Sequence, residues 1–350
     1  MREPILERSS EMRCALRSLP PRVSAPRFGC AGATAHLKNE MRAKSTKEPS
    51  SRSPENTAKA VARSPSWAGD SEAVAFLRRV LVYDFDQDPP YGMGSMDVLV
   101  LPIACLKDNY AYLVTSSGSE QALVVDACEA EPVERELEAR GLSLAAILST
   151  HHHLDHVGGN ERLVQKYGAQ VFGHASERRR IPCFSRPLED GDSFSIAGFS
   201  GRAFHIPAHT RGALAYVLPG ACFSGDTLFA AGAGRLFEGT PEELYRALYL
   251  VFGRLDSSTT IYTGHEYTER NLEFALSLEP ESIAIQTRLA EVRAARARGE
   301  PTAMTTLPLE RETNPFLRAD RPSIVARLGL APGVAPAEVI RRLRELKDHF

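Results

Sequence analysis

The sequence has few of the features that define several large protein classes. Six cysteines and one tryptophan occur in 350 residues. No two cysteines form a Cys-x-x-Cys pair, which excludes a dense disulfide framework and favours free thiols in a reducing compartment. The formal net charge of only -2 gives no reason to expect a nucleic-acid partner. No run of about 18 uncharged apolar residues occurs, so no membrane span is predicted.

Residues 1–95 also lack the apolar periodicity of a folded domain. Thirteen basic and six acidic residues lie among many Ser, Pro and Ala residues up to Trp67, and such a composition is typical of disorder. An Arg-rich, Ser-rich start is also typical of an organelle transit peptide, although early glutamates argue against it. We favour a third interpretation, a translation start at Met96, because a strand-rich segment begins abruptly there.

The chain as a whole has the composition of a soluble globular protein, with 43% hydrophobic and 25% charged residues. We predict a first domain over 96–268, in which short strands alternate with helices, and a C-terminal domain over 269–350, in which strands stop and helices take over. Predicted strands are 98–103, 111–115, 122–125, 145–148, 171–173, 193–196, 202–206, 214–218, 221–223 and 259–262, and predicted helices are 132–140, 160–167, 282–298 and 336–347.

One short stretch, Thr150 to His156, has an unusual density of potential metal ligands. Imidazole nitrogens and carboxylate oxygens suit zinc, iron or manganese. The spacing His-x-His-x-Asp-His divides the donors into two sets, which indicates two metal ions. His152 stands outside both sets and is interpreted as structural. The four donors are His151, His153, Asp155 and His156.

The same reasoning locates three further ligands. The histidine cluster directly follows an apolar, strand-like run, so other ligands are expected where short strands end. His209, Asp226 and His265 each follow a β-rich segment with Gly or Pro nearby. The predicted donor set therefore contains five histidines and two aspartates.

These residues, with other short motifs, resemble the metallo-β-lactamase superfamily and, within it, the hydroxyacylglutathione hydrolases, also called glyoxalase II. The resemblance covers residues 96–350. It implies a four-layer αββα sandwich with a helical C-terminal domain, which is an α/β fold. The further motifs are Asp108-Asn109-Tyr110, Phe223 to Phe229, Glu238-Gly239-Thr240, Gly264 to Thr268, Gly299 to Thr302, Asn314-Pro315-Phe316 and Lys347-Asp348.

The resemblance also implies a role for each donor. Two divalent ions are expected per chain, zinc first, with iron or manganese as alternatives. Asp155 and Asp226 are the carboxylates assigned to catalysis, and a hydroxide shared by the metals is the implied nucleophile. In the implied arrangement, His151, His153 and His209 bind one metal, Asp155, His156 and His265 bind the other, and Asp226 bridges them.

Substrate contacts follow the family pattern with two departures. Phe237 stands where the family commonly places a tyrosine, and Ala213 stands where it commonly has a histidine that is not a metal ligand. We expect altered support around a retained binuclear site. For Arg344 and Lys347 the competing interpretation is a solvated helix face, which includes the neighbouring arginines 341 and 342. The implied glutathione-binding residues are Arg235, Phe237, Tyr267, Arg344 and Lys347.

The implied activity is hydrolysis of S-(2-hydroxyacyl)glutathione, chiefly S-lactoylglutathione, to glutathione and D-lactate, the second step of methylglyoxal detoxification. The expected partner is this small thioester, with no nucleic acid and no membrane, and a monomer in the cytoplasm is expected, or in the mitochondrion if residues 1–95 contain a genuine transit peptide. The alternative is a glutathione persulfide dioxygenase of the same superfamily, which uses a single iron and lacks the C-terminal extension. The length of the chain and the Arg344 and Lys347 pair argue against it.

Overall fold

A computed structural model describes residues 97–350, and the interpretations of residues 1–95 lie outside this range. The first of two six-stranded sheets has the order β1-β2-β3-β4-β5-β6. Its first three strands are antiparallel and the remaining pairs are parallel. The strands are β1 (Leu99–Cys105), β2 (Asn109–Thr115), β3 (Gln121–Val125), β4 (Ser143–Leu148), β5 (Gln170–His174) and β6 (Phe184–Leu188).

The second sheet has the order β14-β13-β10-β9-β8-β7, and β11 and β12 form a separate two-stranded ribbon. Within the second sheet β10 and β13 are parallel, and the other pairs are antiparallel. The strands are β7 (Ser193–Ile196), β8 (Phe199–His205), β9 (Leu214–Leu218), β10 (Ala221–Gly225), β11 (Leu228–Phe229), β12 (Gly232–Ala233), β13 (Thr260–Thr263) and β14 (Met304–Thr306).

Helices cover the outer faces of both sheets, and their ends follow the expected signals. Thr240 and Glu243 form a capping box at the start of α4. Gly141 and Gly168 adopt the left-handed conformation that ends α1 and α3. The helices are α1 (Ala130–Arg140), α2 (Leu154–Val157), α3 (Asn160–Tyr167), α4 (Pro241–Arg246), α5 (Thr268–Leu278), α6 (Ile283–Ala297), α7 (Leu307–Thr313), α8 (Pro322–Arg327) and α9 (Pro336–His349).

Three of the four apolar clusters among residues 97–350 hold these layers together. The central core lies between the sheets, where Tyr112, Tyr216 and Phe223 are almost completely buried. A second core joins the first sheet to α1 and α3, and a third joins the second sheet to the C-terminal helices, including α9. The order helix, sheet, sheet, helix confirms the predicted four-layer αββα architecture. Within 97–350, no helix has both the length and the apolar character that a membrane crossing requires.

The prediction that strands stop after about Glu269 is wrong. Residues Met304–Thr306 form β14, which pairs antiparallel with β13 in the register Tyr262↔Met304. Three residues are too few to show an alternating pattern, and the strand forms because it completes the open edge of β13. The C-terminal segment therefore contributes backbone hydrogen bonds to the second sheet.

A buried ion pair strengthens this connection. The Arg288 guanidinium on α6 lies 2.7 Å from the Glu310 carboxylate on α7, and both side chains are almost fully buried. The same carboxylate accepts hydrogen bonds from the Thr305 hydroxyl on β14 and from the backbone amide of Ala231. The pair thus connects two helices to β14 and to the loop between β11 and β12.

Replacing Arg288 with Met should lower the free energy of unfolding by ~3–5 kcal/mol, because the Glu310 charge would remain buried without its partner. Urea denaturation at pH 7 measures the change. Arg293→Met is the matched control. Arg293 lies on the exposed surface of α6, the helix that also contains Arg288, and it pairs with Glu269 and Glu273 of α5. Equal losses in the two variants would contradict this account.

Candidate metal centre

The loops that follow four strands bring the seven predicted donors together. His151 and His153 follow β4, and Asp155 and His156 occupy the first turn of α2. The remaining donors follow one strand each of the second sheet, with His209 after β8, Asp226 after β10 and His265 after β13. Parallel pairing of β10 with β13 places two of these strand ends at the same edge.

Three imidazoles form the first group of donors. His153 Nδ1 lies 3.1 Å from His151 Nε2 and 3.0 Å from His209 Nε2. Burial lowers the pKa of His153 to about 4 and also lowers the pKa values of the other two rings. At neutral pH these rings are uncharged, which is the form that binds metal ions.

The second group combines two imidazoles with a carboxylate. His265 Nε2 lies 3.3 Å from His156 Nε2 and 3.5 Å from Asp155 Oδ2. The Asn109 amide donates to the same Asp155 oxygen at 3.1 Å, which orients the carboxylate toward the histidines. Each group lies within the span of a single coordination sphere.

Asp226 lies between the two groups and contacts both. Its Oδ2 is 3.5 Å from His209 Nε2 and 3.2 Å from His265 Nε2, and its Oδ1 is 3.4 Å from His156 Nε2. Burial opposes ionisation of this carboxyl, but the charges of His156 and His265 outweigh it and hold the pKa of Asp226 well below its usual range. Asp226 is thus the anion shared by both donor groups.

The arrangement of the donor atoms suits metal binding better than it suits hydrogen bonds among the donors themselves. Several pairs of ring nitrogens face one another, and neutral imidazoles cannot satisfy all of these contacts with their few N–H groups. Within the described part of the chain, Asp226 Oδ1 is buried and has no hydrogen-bond partner. In this fold, two such His and Asp groups indicate a binuclear metal site.

A cavity of about 480 Å³ extends from the metal donors to α9. Tyr267 lines it and stacks on the His265 ring, with centroids 4.7 Å apart. Phe237 is 60% exposed at the rim, and its ring lies 5.1 Å from His209 and 5.7 Å from His153. The wall beside the first donor group is therefore an apolar ring without the hydroxyl that a tyrosine would supply.

The far end of the cavity contains cationic side chains. Lys347 Nζ donates to the Arg270 carbonyl at 3.0 Å and lies 5.1 Å from the Phe274 and Phe350 ring centroids. Burial and, to a smaller extent, the neighbouring charges of Arg344 and Arg270 together lower the pKa of Lys347 to about 7. The lysine therefore changes charge within the physiological pH range.

Arg344 differs from the solvated arginines beside it. It is 7% exposed, and its guanidinium donates to the Ala233 carbonyl at 2.6 Å and pairs with Asp348 at 3.1 Å. Asp348 also lies 3.3 Å from Arg235, which is largely exposed. Arg344 thus supports the loop that follows Asp226 as well as lining the cavity.

Comparison with known proteins places this geometry in a family. The model of the metallo-beta-lactamase superfamily matches residues 107–265, and that of the hydroxyacylglutathione hydrolase C-terminus matches residues 266–350. The hydroxyacylglutathione hydrolase of Methylobacillus flagellatus is 47% identical over 253 residues, which are 72% of this chain and 99% of that protein. The enzyme of the same name from Maricaulis maris is 43% identical over 256 residues, with coverage of 73% and 99%.

The chain belongs to the hydroxyacylglutathione hydrolase family. Membership confirms the predicted resemblance and, with it, the predicted enzyme class, a thiolester hydrolase. The crystal structure of ETHE1 from Myxococcus xanthus is 22% identical and covers 72% of this chain and 91% of its own, with a TM-score of 0.52. That likeness supports the metallo-β-lactamase fold alone.

Sequence reasoning missed some supporting residues of this hydroxyacylglutathione hydrolase family member. Asp126 accepts hydrogen bonds from the Thr150 amide and hydroxyl, both at 2.7 Å, and lies 3.0 Å from His156 Nδ1. Its φ of 53° is rare for a residue other than glycine. The position directly after β3 was the available signal, since other functional residues also follow strands. Asp108 belongs to a motif of the predicted resemblance, but no role was predicted for it, and it contacts His265 Nδ1 at 2.9 Å.

Gly264 is the position where the metal centre leaves no space for a side chain. A Cβ atom there would lie 2.1 Å from Asp226 Oδ1 and 2.8 Å from His156 Cε1. Gly264→Ala should therefore displace Asp226 and weaken metal binding by roughly the 10- to 100-fold that loss of supporting contacts costs. Metal analysis after dialysis measures this. Gly118→Ala, at a turn with open space but positive φ, should lose some stability and no metal, and equal metal retention in both variants would contradict the prediction.

Proposed function

We propose that the chain hydrolyses S-(2-hydroxyacyl)glutathione, with S-lactoylglutathione as the main substrate, to glutathione and a 2-hydroxy acid such as D-lactate. The observation that supports this most is the continuous cavity. It has His153, Asp226 and His265 at one end and Lys347 at the other. A glutathione thioester carries its reactive carbonyl on the sulfur of the central cysteine and a carboxylate on each flanking residue. The carbonyl therefore fits the donor end of the cavity, and a carboxylate fits the Lys347 end.

The seven donors would hold two divalent cations, for which we propose zinc. Oxygen and imidazole ligands also suit iron and manganese, and these are the alternatives. When bound, such ions lower the pKa of water and polarise a carbonyl, which is the chemistry that thioester hydrolysis requires. By this proposal His151, His153 and His209 hold one ion, Asp155, His156 and His265 hold the other, and Asp226 is shared.

The protein side chains supply position and charge balance. Asp155 and Asp226 contribute two negative charges next to the reaction centre, and the stacked Tyr267 and His265 rings form the wall beside it. The leaving group is a thiolate, and thiols have a pKa near 8.5, so departure requires no strong general acid. Lys347 would bind a substrate carboxylate far from the reacting carbon, and Phe237 would contact the substrate through its ring only.

The cellular setting and assembly are part of the proposal. Cys105, Cys128, Cys183 and Cys222 are free thiols, which supports a reducing compartment, and we propose the cytoplasm. We also propose a monomer. The division of function between residues 96–268 and 269–350 fits the substrate pocket, because α9 contributes its cationic end.

The substrate assignment predicts a clear order of activities. Metal-loaded protein should hydrolyse S-lactoylglutathione at least tenfold more efficiently, by kcat/KM, than the matching coenzyme A thioester. The phosphates of coenzyme A lie farther from the thioester than the glutathione carboxylates do, so the charge-assisted contact with Lys347, about 1.5–3 kcal/mol, would be lost. Thiol release measured with a chromogenic reagent tests this. Oxygen uptake with glutathione persulfide tests the dioxygenase alternative, and robust uptake without thioester hydrolysis would overturn the proposal.

The binuclear arrangement predicts a stoichiometry. Purified protein should bind close to two metal ions per chain, and Asp226→Ala should lose metal and activity by more than the 10- to 100-fold typical of an outer hydrogen-bonding partner. Metal analysis and steady-state kinetics measure both effects. A fully active wild-type enzyme with one bound ion would exclude the shared carboxylate mechanism.

Lys347 predicts a pH dependence of substrate binding. With a pKa of about 7, the ammonium is charged below pH 7 and neutral above it, so KM should rise by about tenfold between pH 6 and pH 8 if the charge binds a carboxylate. Lys347→Arg keeps its charge over this range and should show little of this rise. Dividing the wild-type KM by that of the variant at each pH removes effects common to both enzymes, and a constant ratio would contradict the role of Lys347.

A further inference from the structure

One buried carboxylate outside the donor set lies against the loops of the metal centre. Glu177 ends a 3-10 turn, Ala175–Glu177, that follows β5, and it is 2% exposed. Its Oε2 lies 2.9 Å from His152 Nδ1, and its carboxylate accepts a hydrogen bond from the backbone amide of Gly212. Burial of a carboxylate is costly unless such contacts compensate it.

Both contacts are adjacent to metal donors in the chain. His152 stands between two donors of the first group, and Gly212 lies on the loop that begins at the third. A single side chain therefore bridges the two separate loops that supply this group. The three donors are His151, His153 and His209.

The contact with the second loop is sterically tight. A Cβ atom at Gly212 would lie 2.3 Å from both Glu177 Cγ and Oε1, so the carboxylate packs directly on the backbone. The next residue is Ala213, at the position where the family commonly has a histidine. Glu177 thus reaches the same loop from another part of the fold.

Glu177 also contacts a neighbouring arginine, which connects it to a second carboxylate. Arg180 Nε lies 3.7 Å from Glu177 Oε2, and the same guanidinium pairs with Glu238 at 2.8 Å. Glu238 accepts the backbone amide of Arg211 at 2.7 Å. Glu177 and Glu238 therefore hold two neighbouring backbone amides of the loop after His209. Both carboxylates also contact Arg180.

We propose that Glu177 is a positioning residue that sets the metal affinity of the His151, His153 and His209 half of the centre. It acts through the His152 ring and the Gly212 backbone and contacts no metal donor itself. The inference rests on the proposed binuclear function. Outer hydrogen bonds that orient metal ligands typically account for 10- to 100-fold in affinity, which gives the expected size of the effect.

The test measures zinc affinity by competition with a chromogenic chelator in full-length protein. His265→Ala removes a donor of the second group only, and His209→Ala removes a donor of the first group only. Adding Glu177→Ala to His265→Ala should weaken the remaining ion by 10- to 100-fold, whereas adding it to His209→Ala should change affinity by less than about threefold. In otherwise wild-type protein, Glu177→Ala should leave one tight and one weak ion.

Two controls separate positioning from a general loss of stability. Glu177→Gln keeps the shape, one acceptor oxygen for the Gly212 amide and a polar atom beside His152, so it should restore affinity to within about threefold of wild type. Glu134→Ala removes another buried carboxylate, paired with Arg162 on the far side of the first sheet, and should lower the melting temperature without changing metal affinity.

Two results would overturn the role of Glu177. One is unchanged affinity in Glu177→Ala, and the other is an equal loss in both single-site proteins. Failure of the proposed function has a different signature, since wild-type protein would then bind fewer than two ions whatever residue 177 is.

Discussion

The buried carboxylate of Asp226 is the contact on which the metal centre depends. Its two oxygens lie 3.2 to 3.5 Å from histidine nitrogens of both donor groups. An anion at this depth is stable only when positive charge lies next to it, and among the side chains His156 and His265 supply that charge. Gly264 leaves room for this carboxylate and Gly234 for the Asp226 backbone carbonyl, because a Cβ atom at either position would collide with that group.

The sandwich supplies the geometry that this contact requires. Each donor follows a strand, and the strands belong to two sheets that pack through the Tyr112, Tyr216 and Phe223 core. Outer hydrogen bonds then fix the ring orientations, since Asp126, Asp108 and the Arg235 carbonyl contact the remaining nitrogens of three histidines. Sheet packing sets the approximate position of each donor, and these bonds set its direction.

The donors could be predicted from the sequence because four lie within six residues and the others follow strands. Family motifs extended the prediction to the fold and the enzyme class. Asp126 was missed because a lone aspartate after a strand has no distinguishing pattern. Arg344 could not be recognised as buried, since its helix contains other, exposed arginines and only tertiary contacts distinguish them. β14 was too short for periodicity to reveal.

The pairing of β14 with β13 limits how this architecture can be recombined. The C-terminal segment adds β14 to the second sheet, and its Glu310 accepts a hydrogen bond from the β11–β12 loop. It therefore cannot be exchanged as an independent domain. A chimaera that takes new substrate preferences from another C-terminal segment must also inherit a matching strand and the Arg288 and Glu310 pair. Substrate choice and the integrity of the sheet are therefore inherited together.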